Sequence, residues 1–347
     1  MSPINILCLH HPNDSEKSAV RALGGRELNA IVDEFVTEMS EKQKLNSKEV
    51  AKQVFAVNPN SIQNWRGRNS EYPEGHPVPL WALEKCLRSN QNTDKDKARI
   101  RIIKNIEELQ CGRVGKTVKA VTELNPSIAK LCGAHAADGS LYLQAERGPI
   151  TSLWEIGDQV KENIEAVQQW TKELFNVQLD IKKKGAMYYV RSDMQVIPRY
   201  LIRVFDFPTG EKSHTVREPL ILSDSRDGRV LGAIAEEERW SLRLDFAKEV
   251  VNFDGHSTKT GGIVSVGLGS ESSEMRKNLC EIFERFGVKF RNYDAHNKML
   301  TTSWEQSRKL FDLGLFRGQR RTKFRISLCN YRTPRAEKYP ERGVKRA

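Results

Sequence analysis

The chain has no pair of cysteines spaced as CxxC. Its six cysteines, Cys8, Cys86, Cys111, Cys132, Cys280 and Cys329, are scattered. That argues against zinc fingers and a disulfide framework, and fits reduced thiols in a cytosolic protein. No apolar run approaches the roughly 18–20 residues that a membrane span needs, so no membrane partner is expected. Met1 to His11 lacks a basic region followed by an apolar run and a small-residue cleavage site, so no secretory signal is expected. The expected location is cytoplasmic and nucleoid-associated, or an organelle matrix if the gene is organellar. There is no GxxxxGK[ST] sequence, so neither nucleotide hydrolysis nor a nucleotide cofactor is expected. No His/Cys constellation suggests zinc, and none suggests a nucleophilic triad.

What is present is a basic, mixed chain. Its 347 residues are too many for one ordinary core and imply two or three domains. Hydrophobic content is 38%, too high for a disordered chain. The net charge of +11 is unevenly placed. From Arg317 to Ala347 eleven basic side chains face only Glu337 and Glu341, so this end carries +9 and the rest only +2. Such an end is an electrostatic footprint for a polyanion, most often nucleic acid.

The pattern divides into an irregular leader (1–20), a helical region (21–95), a charged helical connector (96–124), a mixed unit (125–225), a linker (226–240), a second mixed unit (241–327) and a basic tail (328–347). Helices are expected at Gly25–Lys44, Ser47–Phe55, Asn60–Arg68 and Leu80–Leu87, with one long charged helix over Asp94–Cys111. From Asn125 the reading is helix 126–138, strands at 140–157, helix 161–176, strands at 178–193 around a Lys-Lys-Lys-Gly turn, and helix 196–206. The same order returns in a helix ending at Asp254, strand Ile263–Leu268, helix 272–286, strands at 288–302 and helix 304–312. Two αββαββα units about 116 residues apart, measured from Asp138 to Asp254, form an internal repeat.

In Ser47–Phe55, Val50, Ala51 and Val54 share one face. In Asn60–Arg68, Ile62 and Trp65 face inward, which leaves Ser61, Gln63, Asn64, Arg66 and Arg68 outward. Amides suit adenine and arginines suit guanine or phosphate, as a recognition helix in a major groove requires. This block resembles the helix-turn-helix of replication and transposon-type DNA-binding proteins.

Asn125 can cap a helix that has Pro126 at its first position. Ala129, Gly133 and Ala137 then recur every fourth residue, a stripe poor in side chains that admits a close second helix. Asp138 stands at the C-terminal tip, where the helix dipole disfavours an acid, so local stability does not explain it. Leu131-Cys-Gly-Ala-His-Ala-Ala-Asp-Gly139 resembles the motif of the LAGLIDADG homing endonucleases. The second copy is Ala247-Lys-Glu-Val-Val-Asn-Phe-Asp-Gly255. It keeps the Asp-Gly tip but has Glu249 and Phe253 where small residues are usual. An alternative placement at Val230–Glu238 would make Glu237 the tip acid. Thr209–Pro219 and Phe311–Lys323 resemble the segments that close the family's two units. The resemblance covers about residues 125–327.

This resemblance implies an α+β fold: two pseudo-symmetric αββαββα LAGLIDADG units forming a saddle, preceded by an all-α helix-turn-helix domain. It implies a monomer that acts as a pseudo-dimer on double-stranded DNA, in the service of intron or intein mobility. Asp138 and Asp254 would each ligate Mg²⁺, with Mn²⁺ able to substitute. Lys212 and Lys323 would stabilise charge or position water. Lys182, Lys183, Lys184, Tyr188, Arg191, Arg291 and Lys298 would contact DNA from the strands, and Gln63, Asn64, Arg66 and Arg68 from the helix-turn-helix. His135, one turn before Asp138, reads either as a core histidine or as a modulator of the site. Two other readings are a non-catalytic DNA-binding regulator on the same scaffold and an RNA-splicing maturase.

Overall fold

Asn125 does what its position suggests. Its Oδ1 accepts from the Ile128 amide at 3.1 Å, with Pro126 in the first turn, and helix α6 runs Pro126–Asp138. In chain order around it lie β1 (Val20–Leu23), α1 (Gly25–Gln43), α2 (Ser47–Glu49), α3 (Pro59–Trp65), β2 (Val78–Pro79), α4 (Leu80–Arg88), α5 (Lys95–Lys104), β3 (Glu108–Cys111) and β4 (Thr117–Lys119). After α6 come β5 (Gly139–Leu143), β6 (Ser152–Asp158), α7 (Lys161–Phe175), β7 (Lys182–Lys184), β8 (Met187–Ser192), α8 (Val196–Arg199) and α9 (Leu220–Ser223). The second unit holds α10 (Glu236–Asp254), β9 (Gly255–Thr260), β10 (Ile263–Gly269), α11 (Ser273–Arg285), β11 (Phe290–Tyr293), β12 (Lys298–Thr301), α12 (Trp304–Asp312) and α13 (Gly318–Cys329). This computed structural model describes residues 2–10, 14, 18–67, 76–88, 94–111, 115–143, 152–209, 214–223, 229–260 and 263–330.

The repeat is visible as topology. The sheet of the first unit has the order β5-β6-β8-β7, and that of the second has β9-β10-β12-β11, all pairings antiparallel. Each sheet begins where a long helix ends in Asp-Gly. The two helices, α6 and α10, pack directly on one another. Gly133 shows how closely: a Cβ there would lie 2.3 Å from the Phe246 carbonyl oxygen and 2.8 Å from Glu249 Cβ. Gly133→Ala is therefore expected to force the helices apart. Overpacking of this kind costs about 1–3 kcal/mol, enough to offset the roughly 1 kcal/mol of helix propensity that alanine brings. A lower urea midpoint with unchanged slope would show it.

Four expectations are corrected in the N-terminal third and in the first unit. Among its described residues the leader is ordered: Ile6–Leu9 forms a tight turn, and Ile4, Ile6, Leu7 and Leu9 are buried. Ile4 donates its amide to Thr122 O at 2.7 Å and bridges to Val230, so the leader ties the connector to the stretch expected as a linker. The region is not all-α, since β2-β1-β3-β4 form a four-stranded sheet with Val20 opposite Cys111. The long charged helix stops at Lys104. Asn105 turns the chain there, and the residues beyond form β3. Finally, the helix expected over 196–206 is α8 followed by a wider π turn at Tyr200–Val204, as Ser47–Phe55 is α2 followed by Val50–Phe55.

Two buried ion pairs join the parts. Arg199 on α8 donates to both carboxylate oxygens of Asp14 at 2.7 and 3.0 Å. Arg243 on α10 holds Glu218, from the segment that closes the first unit, at 2.7 and 2.9 Å.

Candidate active site and nucleic-acid interface

Asp138 is the last residue of α6 and Asp254 the last of α10. Asp138 is half-buried and Asp254 exposed. Glu237 lies in the first turn of the same helix, at the end opposite Asp254. Of the two candidate acids in the second unit, only Asp254 occupies a helix tip comparable to that of Asp138.

A polar node surrounds these tips, and most of its members are absent from the motif. The Asn163 amide on α7 donates to Asp158 Oδ2 at 2.5 Å and to Asn252 O at 2.9 Å. Asn252 Oδ1 accepts from the Phe316 amide at 2.7 Å, and its own amide donates to Glu249 Oε2 at 3.1 Å. Arg317 reaches both units, donating to Glu249 and, at 3.1 Å, to Asn163 Oδ1. Glu249 is buried, and the Arg317 and Asn252 bonds are what make a carboxylate tolerable where the motif has a small residue. Gly318, with φ +48°, lets α13 start against α7; a Cβ there would fall 2.1 Å from Glu162 Oε1.

Arg320 enters this node from α13. It donates to Asn252 O at 2.7 Å and to Gly255 O. Burial pushes its guanidinium below the usual arginine range, while the carboxylates of Asp158, Asp138 and Asp254 draw it back up. His256, on β9, is held below its ordinary range by burial and by the charges of Arg320 and Lys298. Lys323, three residues further along α13, is exposed. Among the described residues, Arg320 is a basic side chain anchored beside Asp254 and acted on by both tip carboxylates. Lys212 and Arg68 lie outside the described residues, as does the basic tail from 331 onward.

The strand candidates divide by face. Register places Lys182 opposite Tyr189, Lys184 opposite Met187, and Arg191 opposite Glu155. Those positions lie on the open face, because Val190 and Ile156 between them are buried. Arg191 is paired there with Glu155 at 2.8 Å. Lys183 and Tyr188 oppose one another on the other face, which α7 packs against at β6 and β8 while Lys183 on the edge strand stays exposed, its Nζ 5.1 Å from the Tyr188 ring centroid. In the second sheet, Arg291 and Lys298 share the open face with Leu300 and Gly267, and Arg291 lies 5.2 Å from the Tyr293 ring centroid.

In the N-terminal pair, Gln63 and Asn64 are half-buried on α3. Arg66 does not point outward as spacing implied. The helix ends at Trp65, and Arg66 turns inward to Asp33 and to Ser47 Oγ at 2.6 Å. His135 is fully buried with its ring 4.7 Å from that of Phe207, edge to face.

No protein-family model matches the chain, and no curated protein matches it. Solved structures do. The chain is similar to I-DmoI in complex with DNA and Mn, at 15% identity and TM-score 0.34, over 60% of this chain and 100% of that one. It is similar to a mutant of I-SmaMI at 12% identity and TM-score 0.34, over 59% and 89%. It is also similar to full-length DUF199/WhiA from Thermatoga maritima at 12% identity and TM-score 0.36, over 60% and 61%. Likeness of this extent leaves function to be argued from the chain's own residues.

Proposed function

We propose that the protein is a metal-dependent, site-specific endonuclease of double-stranded DNA, of the homing type. The observation that carries this reading is the pair of directly packed helices, each ending in an aspartate from which a four-stranded sheet begins. Nothing about helix stability favours an acid at a helix C-terminus. Two such acids at matching tips fit a shared task better than coincidence.

In this reading Asp138 and Asp254 hold Mg²⁺, or Mn²⁺ in its place, which supplies water activation and charge stabilisation at the scissile phosphodiesters. Among the described residues no group of three His, Cys, Asp or Glu side chains could hold a metal ion alone. Two hard carboxylates suit an ion that keeps several waters and takes its remaining oxygens from phosphate. The open sheet faces carry Lys182, Lys184, Arg191, Arg291 and Lys298 toward the DNA backbone and base edges. Helices α2 and α3 serve as a helix-turn-helix through Gln63 and Asn64, and by the resemblance Lys323 and Lys212 would stabilise charge or position water. The units at 21–95, 125–225 and 241–327 act together as one monomer.

A plasmid-library assay with Mg²⁺ tests the reading: linear product is expected from the native chain. The facing of the strands adds a finer test. Each phosphate contact contributes about 0.9 to the slope of log affinity against log salt. Lys182→Ala and Arg291→Ala are each expected to reduce that slope by about 0.9, whereas Lys183→Ala, which faces the opposite side of the sheet, leaves it unchanged. Filter binding at several salt concentrations measures this.

One observation favours a second reading, a DNA-binding regulator that does not cleave. Arg320 is already anchored at Asn252 O and Gly255 O, on either side of Asp254, and brings a positive charge there. Tight, salt-sensitive binding without linear product would establish that reading instead.

A further inference from the structure

The geometry points to Arg320 as a built-in counter-ion that positions the two helix tips before metal and DNA arrive. Its guanidinium is anchored at two carbonyl oxygens of the α10 terminus, Asn252 O at 2.7 Å and Gly255 O. Those two residues bracket Asp254. The same Asn252 O accepts from Asn163, whose amide also binds Asp158 Oδ2 at 2.5 Å, so the anchor reaches the first unit at the end of β6. β6 pairs with β5 from Gly139 onward, immediately after Asp138. Arg320 thus links the end of α10 to the end of β6, beside which β5 leaves the tip of α6. Three carboxylates, Asp158, Asp138 and Asp254, act on it. Arg317, one turn earlier, is engaged with Glu249 and Asn163 and fixes the start of the helix that delivers Arg320.

The placement has a physical purpose. Two like charges brought to a shared site repel, and in the absence of metal that repulsion opposes the docking of α6 on α10. A fixed guanidinium offsets it and cannot be lost by deprotonation. Arginine is suited to the role because its fork can bond two carbonyls while the charge remains among the carboxylates. A divalent cation entering the site would meet the guanidinium as a competitor, so the native protein would bind metal weakly until DNA phosphate adds negative charge. Arg320 is in this sense a positioning residue.

Its charge role is independent of the endonuclease reading, whereas its effect on metal rests on Asp138 and Asp254 being the ligands. Two measurements on the full-length chain separate them. The first is thermal stability at low ionic strength. Arg320→Ala is expected to lower Tm, and Arg320→Lys to recover part of the loss. Adding Asp138→Asn and Asp254→Asn to Arg320→Ala is expected to restore Tm, because the uncompensated charge is then gone. If the triple variant is no more stable than Arg320→Ala, Arg320 is only a cap for the α10 carbonyls and the inference is overturned. The second is Mn²⁺ titration of the DNA-free protein, followed by the paramagnetic signal of the free ion. Arg320→Ala is expected to bind about tenfold more tightly than the native chain, the change that about 1.4 kcal/mol produces. Equal affinity in the two proteins would defeat the competition. Mn²⁺ binding that survives both aspartate substitutions would instead refute the endonuclease reading while leaving the charge role intact.

Discussion

Asp138→Asn and Asp254→Asn are each expected to reduce double-strand cleavage by at least about 10²–10³-fold, the range seen when one preorganised stabiliser of transition-state charge is removed. The change is isosteric, so folding and packing are kept. Each variant replaces a hard anionic ligand with a neutral amide that holds Mg²⁺ poorly. DNA binding is expected to persist, because phosphate contacts from the open sheet faces supply most of the affinity. Binding in metal-free buffer is expected to tighten slightly, since each substitution removes a negative charge from the face that meets phosphate. Glu237→Gln serves as the control. It lies at the opposite end of α10 and is expected to leave cleavage unchanged. The assay is linearisation of a plasmid carrying the target site, in Mg²⁺ and again in Mn²⁺. If Asp254→Asn retains native cleavage, the second tip is not a catalytic ligand and the two-acid reading fails.

What the sequence made legible was whatever is local. The Asn125-Pro126 cap, the stripe of Ala129, Gly133 and Ala137 and the Asp138-Gly139 turn sit within one short stretch, and each acts on its chain neighbours. Helix α6 could therefore be read residue by residue. The order of the two units was legible for the same reason, because each is a series of local periodicities repeated. Contacts between distant residues were not. Glu249 stands in the motif as a misfit, and besides the nearby Asn252 amide it takes the charge of Arg317, 68 residues away, to explain how it is tolerated. Arg320 was one of many basic residues near a basic end, with nothing local to single it out. The N-terminal sheet failed for another reason. Its strands are two to four residues long, and β1 pairs with β3 far along the chain, so neither partner carries a recognisable alternation. Arg66 was misread because the helix was expected to continue to Arg68, three residues past the true end of α3 at Trp65. The strand lysines were read as one group, but alternation splits them, which only the register Lys183↔Tyr188 reveals.

The largest effect on stability is expected at Arg243. Its guanidinium binds both oxygens of Glu218 at 2.7 and 2.9 Å, donates to Glu281 at 3.1 Å and stacks 4.3 Å from the Trp240 ring centroid. Glu218 is 1% exposed. Burial pushes its carboxyl up, and Arg243 holds it down against that. Arg243→Met keeps much of the apolar stem and strands the carboxylate, at a cost of about 3–5 kcal/mol. The resulting pH dependence has a definite sign. Without its partner, Glu218 titrates in the folded state above its unfolded value, so the folded state gains protons relative to the unfolded one. The variant is then least unstable below the ordinary carboxylate range and loses further stability as pH rises through the raised range. The native chain, with the pair intact, loses less over the same interval. Chemical denaturation under mildly acidic and mildly alkaline conditions checks both the size and the slope. Glu218→Leu added to Arg243→Met is expected to recover most of the loss, because an apolar pair needs no counter-charge. The consequence reaches the site, since Glu218 belongs to the segment closing the first unit and Arg243 to the helix that ends in Asp254. Loosening this staple frees α10 to shift along α6, so cleavage by Arg243→Met is expected to fail at a lower temperature than DNA binding does.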